Sequence, residues 1–170
     1  MYASSADLLL IAQAKELAKI ATPKKDNRGE VIVPELLQAL IESADTSAWT
    51  AEQIALANEG LMAINEALAD AQRDMDSYLS SQYDLPLSAE TIALNPLKRR
   101  CADIARYLLT ERRFKSSEEI KARYQDARSW LRDVASKRAR LQLHTTDGSA
   151  VQFLDQRGSA KTHFDDLAGY

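Results

Sequence analysis

The stretch TAEQIALANEGLMAINEALADAQRDMDSY, residues 50–78, decides the fold. Ile54, Ala57, Leu61, Ile64, Leu68, Ala71, Met75 and Tyr78 alternate three- and four-residue steps, which lays one apolar stripe along a helix of about eight turns. Thr50 followed by Gln53 reads as a capping box that opens this helix, and Gly60 is a point where it is expected to loosen. A stripe of this length needs apolar partners, and other helices of the chain are expected to cover it.

Upstream, Leu8, Ile11, Leu17 and Ile20 predict one helix from about Ser5 to Ile20, with Asp7 suited to its positive end. Thr22-Pro23 stops it, and a polar loop follows from Lys24 to Glu30. Pro34 suits the first position of a short helix through Leu36, Leu37, Leu40 and Ile41. Ser43 to Trp49 reads as a polar connector ending in an exposed tryptophan. Downstream, Pro86 holds Tyr83 to Leu87 extended. Asn95-Pro96 then predicts an N-cap and first turn for a helix that buries Leu97, Cys101, Ile104, Leu108 and Leu109. Ser116 with Glu119 predicts a second capping box, opening a helix with Ile120, Tyr124, Ala127, Leu131 and Val134 inward. The connection between these two helices is short, so they should lie antiparallel. Beyond Arg140 the pattern changes: Leu141 to Thr146, Asp147-Gly148 and Ser149 to Leu154 read as a β-hairpin. The expected fold is therefore mainly α: an antiparallel helical bundle over residues 1–140, with a C-terminal β-hairpin or extended arm over 141–170.

Composition agrees with a helical class. Of 170 residues, 45% are apolar, with only five Gly and four Pro, so helix-breaking positions are few. The longest apolar run, Leu8 to Ala12, falls far short of the roughly 20 residues that a membrane span needs. No basic flank of a secretory signal opens the chain, so a cytoplasmic protein is expected. The net charge of −3 conceals a strong asymmetry. Residues 1–96 carry 6 Lys/Arg against 15 Asp/Glu, whereas residues 97–140 carry 14 against 6. Such halves suggest self-association of unlike faces or an anionic partner, or else solvated helix surfaces.

Little in the chain points to chemistry. His144 and His163 have no second His or Cys at ligand spacing. Cys101 sits at an apolar helix position, where a free cysteine behaves as a small hydrophobe. Asp70 and Asp74 share a helix face, but Arg73 lies between them and a solvated face is the simpler reading. No phosphate loop, GxSxG elbow or HExxH pair is present. The expectation is a structural protein, not an enzyme, with no cofactor and no metal. The basic residues Arg99, Arg100, Arg106, Arg112, Arg113, Lys115, Lys121, Arg123, Arg128 and Arg132 are spread around two helices. The connection Glu111 to Lys115 is charged and lacks glycine, which argues against a helix-turn-helix reader. A nucleic-acid-binding or regulatory protein using helices 97–140 is the alternative reading.

Several segments, in order, resemble the Mu-like prophage protein family of tailed bacteriophages. They are Met1-Tyr2-Ala3-Ser4 with Asp7-Leu8, then Asp76 to Leu87, then Asp103 to Leu108, then Arg123-Tyr124-Gln-Asp126-Ala127. Two departures stand out: the family usually has arginine at the place of Gln82 and a glycine near Ser136-Lys137. The resemblance implies a head–tail adaptor, or connector, in the virion and, during assembly, in the bacterial cytoplasm. Such subunits form a ring, commonly twelvefold, with the portal protein on one side and a tail or head-closure protein on the other. The DNA channel runs through the ring, so non-specific contact with packaged DNA is implied as well. Tyr78, Leu79, Tyr83, Leu85, Pro86, Leu87, Asp103, Arg106 and Tyr107 are the candidate clasp between the long helix and the helical hairpin. Arg112, Arg113, Lys121, Arg128 and Arg132 are the candidate contacts with a neighbouring subunit or with DNA.

Overall fold

The computed structural model describes residues 1–23 and 31–143. Among these residues the chain forms seven helices and no strand. They are α1 (Ser5–Ile11), α2 (Ala14–Ala21), α3 (Pro34–Glu42), α4 (Ala51–Leu79), α5 (Ala89–Leu94), α6 (Leu97–Glu111) and α7 (Glu118–Ala135). The hairpin expected about Asp147-Gly148 lies outside the described residues, as do His144 and His163.

The long helix forms where its stripe places it. The Thr50 side chain accepts from the Gln53 backbone N–H, and the Gln53 side chain accepts from the Thr50 N–H. From there α4 runs unbroken for 29 residues, about 43 Å. It buries Ala57, Gly60, Ile64, Ala67, Leu68, Ala71, Met75 and Leu79. Tyr78, the last expected core position, is half-buried and Leu79 takes its place. A straight helix drifts about 20° per heptad against a strict seven-residue repeat, so three heptads move the inward position one residue on. Gly60 does not loosen the helix. It is a point of close approach: a Cβ there would collide with Cδ1 of Ile32, which leads into α3.

α4 packs most extensively on α6, and α6 in turn holds α7 and α1. α3 and α2 cover the N-terminal part of the assembly through α4. Tyr107 of α6 stacks on Tyr124 of α7, while Arg100 of α6 lies over Trp130 of α7. Moving back along α6 therefore moves forward along α7, so this pair runs antiparallel. Leu141 joins the common core beyond α7.

Four local expectations differ from the fold. The helix expected from Ser5 to Ile20 is two helices, broken at Ala12-Gln13 in extended backbone. Leu8 and Leu17 are nine residues apart, so one straight helix would point them about 180° from each other. Both are fully buried, and only a break lets each face the core. Asn95 does not cap α6. It ends α5, a short helix additional to those expected, and α6 starts after Pro96 without a side-chain cap. The cap of α7 is Ser117, not Ser116, because Ser116 N–H is held by Glu111 Oε1 at 2.9 Å. Glu119 pairs instead with Arg123. Finally, Trp49 is half-buried against the core and not exposed.

Candidate functional site

The candidate clasp residues divide into two groups around the end of α4. Leu79 is buried. Tyr78, one residue earlier, faces α7, and its hydroxyl accepts from Arg128 at 2.6 Å. Arg128 also donates to the Tyr124 hydroxyl at 3.0 Å and sits 5.7 Å from the centre of each of these two rings. Asp74, one turn back on α4, lies 3.7 Å from Arg128 Nε. The Tyr78 bond, with the nearby Tyr124 hydroxyl and Asp74 carboxylate, holds the Arg128 charge more firmly than usual. Tyr107 adds a third ring, stacked on Tyr124 at 3.9 Å between centroids. These rings give the arginine a rigid seat and contribute contact area at low entropic cost.

The next turn reaches the far end of α7. Gln82 Nε2 donates to the Ala135 carbonyl at 3.2 Å, and the Tyr83 hydroxyl accepts from the Leu141 N–H at 2.9 Å. The contact of Gln82 with the last carbonyl of α7 depends on tertiary placement and leaves no signal in the sequence. Lys137, just beyond, has φ 63°, a left-handed conformation that glycine adopts without strain. Leu85, Pro86 and Leu87 turn the other way. They line a cavity of about 310 Å³ with Met1, Tyr2, Asp76 and Ile92, and Leu85 and Leu87 also pack against the common core. Tyr2 is buried and its hydroxyl donates to Asp76, and burial with that bond raises its pKa.

Asp103 and Arg106 have separate partners. Arg106 forms a two-pronged pair with Glu16 of α2 at 2.7 and 2.8 Å. Asp103 is only 3% exposed, its Oδ1 has no hydrogen-bond donor, and Arg99 approaches Oδ2 only to 3.9 Å. Burial raises its pKa despite four surrounding arginines.

Of the candidate subunit or DNA contacts, Arg112 and Arg128 are engaged with side chains of α4. Arg112 bonds Asp70 at 2.8 Å and approaches Glu66 at 3.5 Å. Arg113 is half-buried over Phe114, with Nε and one terminal nitrogen lacking a hydrogen-bond partner. Lys121 and Arg132 are exposed. Asp70 and Asp74 thus pair with Arg112, at the end of α6, and Arg128 of α7 along a partly exposed seam. Together with Glu16–Arg106 and Asp7–Lys98 at 3.8 Å, these pairs fold much of the charge asymmetry into one chain. Lys121, Gln125, Arg128 and Arg132 nevertheless follow one side of α7, and the last three border a cavity of about 290 Å³ with Tyr78 and Tyr124.

Cys101 is fully buried, and desolvation pushes its thiol up to about 12, so a nucleophilic thiolate is disfavoured. Among the described residues no group of three or more His, Cys, Asp or Glu is placed to hold a metal ion. No helix among them is long and apolar enough to cross a membrane.

The family model "Bacteriophage Mu, Gp36" matches residues 2–153. The Mu-like prophage FluMu protein gp36 of Haemophilus influenzae is 37% identical over 84 residues, which is 49% of this chain and 56% of that protein. Gene product J of Escherichia phage Mu is 32% identical over 102 residues, 60% of this chain and 61% of its own length. The chain therefore spans less than two thirds of either relative.

Proposed function

Because the chain belongs to the bacteriophage Mu Gp36 family, we propose that it is a structural head–tail adaptor subunit of a tailed phage or prophage. It forms a ring at the portal–tail junction, around the DNA channel, between the portal protein and a tail or head-closure protein. The body acts as an antiparallel helical bundle and the C-terminal hairpin or arm as its bridging element. The protein is non-enzymatic and works in the virion, after assembly in the bacterial cytoplasm. The observation that carries this reading is the match through residues 2–153 to a family with members in phage Mu and a Mu-like prophage. The clasp supports it physically. Tyr78, Arg128 and Tyr124 lock α4 to α7, giving a stiff body from which the chain leaves after Leu143.

Lys121, Arg128 and Arg132 are the side of α7 that meets packaged DNA in this reading. Their shared face also favours the second reading, a nucleic-acid-binding or regulatory protein, which predicts steeply salt-dependent binding of short duplex DNA by the isolated chain.

The test is capture of portal-containing heads by the tagged protein, full length and ended after Leu143. Leu141 and Gln142 bond Tyr83 and Asn95, so this cut spares the body. Capture that needs residues 144–170 supports an adaptor docking through its arm. Capture by both forms moves the interface to the helices. No capture by either folded form counts against the adaptor and turns attention to DNA binding.

A further inference from the structure

Phe114, in the connection between α6 and α7, is a surface aromatic set among cations. It is 39% exposed, with Lys19 Nζ of α2 5.3 Å and the Arg113 guanidinium 5.6 Å from its ring centre. Neither Lys19 nor Arg113 is ion-paired among the described residues, and Lys115, next along the chain, is exposed. Aromatic and arginine side chains are the types that most often anchor a protein contact by entering a pocket of the partner.

A pocket of complementary character lies elsewhere on the chain. Val31, Ile32, Val33 and Leu56 line a cavity of about 310 Å³ between the entry to α3 and the first turns of α4, with Thr50, Glu52 and Gln53 as its polar side. Val31 is 62% exposed there. Thr50 and Gln53 are bonded to each other in the capping box, which leaves exposed Glu52 as the charged group of the lining. The cavity has space for one aromatic ring. Its surroundings carry the opposite charge to the knob: from Val31 to Gln72 the chain has seven Asp or Glu and no Lys or Arg.

The ring does not fill this pocket in its own chain, since Phe114 is absent from the lining. Arg112, two residues before it, is held at Asp70 and Glu66. Leu56 lies ten residues from Glu66, about 15 Å along α4. Knob and pocket therefore stay apart within one molecule while matching in shape and charge.

We propose that Phe114 of one copy seats in the Val31–Leu56 pocket of a second copy, with Lys19, Arg113 and Lys115 facing the acidic surface around Glu52. An apolar knob that enters a pocket elsewhere on the next molecule makes a heterologous contact, which repeats from copy to copy and closes into a ring where the rotation permits. This gives the ring of the adaptor reading its interface, but it rests on the knob and the pocket and not on that reading.

The test is cross-linking between copies of the full-length protein. A Lys115→Cys protein is mixed with an Ala51→Cys protein, one of them carrying a tag that sets the mixed product apart by mass. Lys115 adjoins the ring and Ala51 adjoins the pocket at the start of α4, and both positions are exposed. A short bis-maleimide joins the two cysteines, while native Cys101 is buried and stays out of reach. The comparison mixture replaces Ala51→Cys by Ser77→Cys, also exposed on α4 but 21 residues, about 31 Å, beyond Leu56. The Ala51 mixture is expected to give about tenfold more mixed product, the excess of a seated contact over chance collision. Adding Phe114→Ala to the Lys115→Cys chain should bring the two yields together, and the exposed ring in its connecting segment can be removed without unfolding the helices. Equal yields in the first two mixtures would overturn the proposal. So would an excess that survives Phe114→Ala. Capture of heads decides the adaptor reading and cross-linking decides this contact, so either can fail alone.

Discussion

Replacing Asp103 by asparagine is expected to stabilise the protein at neutral pH. The carboxylate is 3% exposed, and one of its oxygens has no donor. An unsatisfied buried polar group costs about 1–3 kcal/mol, with charged groups at the upper end. Against this, Arg99 stands 3.9 Å away with its own side chain 64% exposed, a geometry that returns less than about 1 kcal/mol. The balance is a gain of about 1–2 kcal/mol for Asp103→Asn, which keeps the shape and removes the charge. For a chain of this length that is a rise of about 2–8 °C in Tm. The pH dependence follows from the raised pKa of Asp103. A carboxyl group that binds its proton more tightly when folded loses stability on ionising. The cost is absent below the ordinary value of 3.8 and grows as pH rises through the higher folded value. Urea unfolding followed by circular dichroism would compare the two proteins at about pH 7 and again at about pH 3.5. The gain should be present at the first and close to zero at the second. An asparagine variant no more stable at neutral pH, or a gain unchanged in acid, would refute the reasoning and mean that the surrounding arginines outweigh desolvation.

Three further outcomes are expected. A double-mutant cycle on Glu16→Gln and Arg106→Met should give a coupling of about 1–3 kcal/mol, because the pair is two-pronged and Arg106 is only 11% exposed; additive losses in urea unfolding would mean the pair is merely adjacent. Lys137→Gly should raise stability by about 0.5–1 kcal/mol, since φ at Lys137 is 63° and glycine carries no penalty there; Lys137→Val should lower it, and thermal unfolding of both variants checks the sign. Cys101 should resist a thiol reagent at about pH 8 in the native protein and react fully in denaturant, as its thiol is buried and pushed up to about 12; rapid native labelling would reopen a reactive role.

The features legible in the sequence are those fixed by neighbours along the chain. The Thr50–Gln53 capping box and Pro34 at the head of α3 are local chemistry, and both occur where spacing places them. The stripe of α4 is legible for the same reason, because a helix repeats its own geometry. Boundaries failed wherever a residue had a competing partner. Ser116 resembles a cap until Glu111 claims its N–H, and Asn95 resembles one until Gln142 claims its side chain. The break at Ala12-Gln13 carries no proline or glycine to announce it. Its only sign is that Leu8 and Leu17 cannot face the same way on one helix, a sign visible only once both are known to be buried.

Charge was the hardest feature to place. A segregated sequence, acidic before residue 97 and basic after it, suggests complementary faces that meet between molecules. The fold brings those halves together within one chain through Glu16–Arg106, Asp70–Arg112 and Asp74–Arg128. Long helices make this natural: α4 carries acids along the flank of its apolar stripe, and α6 and α7 pack on it with arginines along theirs. Arginine suits such seams because its stem covers apolar surface while its planar head bonds at the edge. Segregated charge in a helical chain is therefore weak support for a partner until the internal pairs are counted. On the outer side of α7, Lys121 and Arg132 stay exposed beside the Tyr-held Arg128. Replacing Lys121 and Arg132 by glutamate should weaken an anionic contact on this face, read by titration with duplex DNA, while leaving the Tyr78–Arg128–Tyr124 clasp standing.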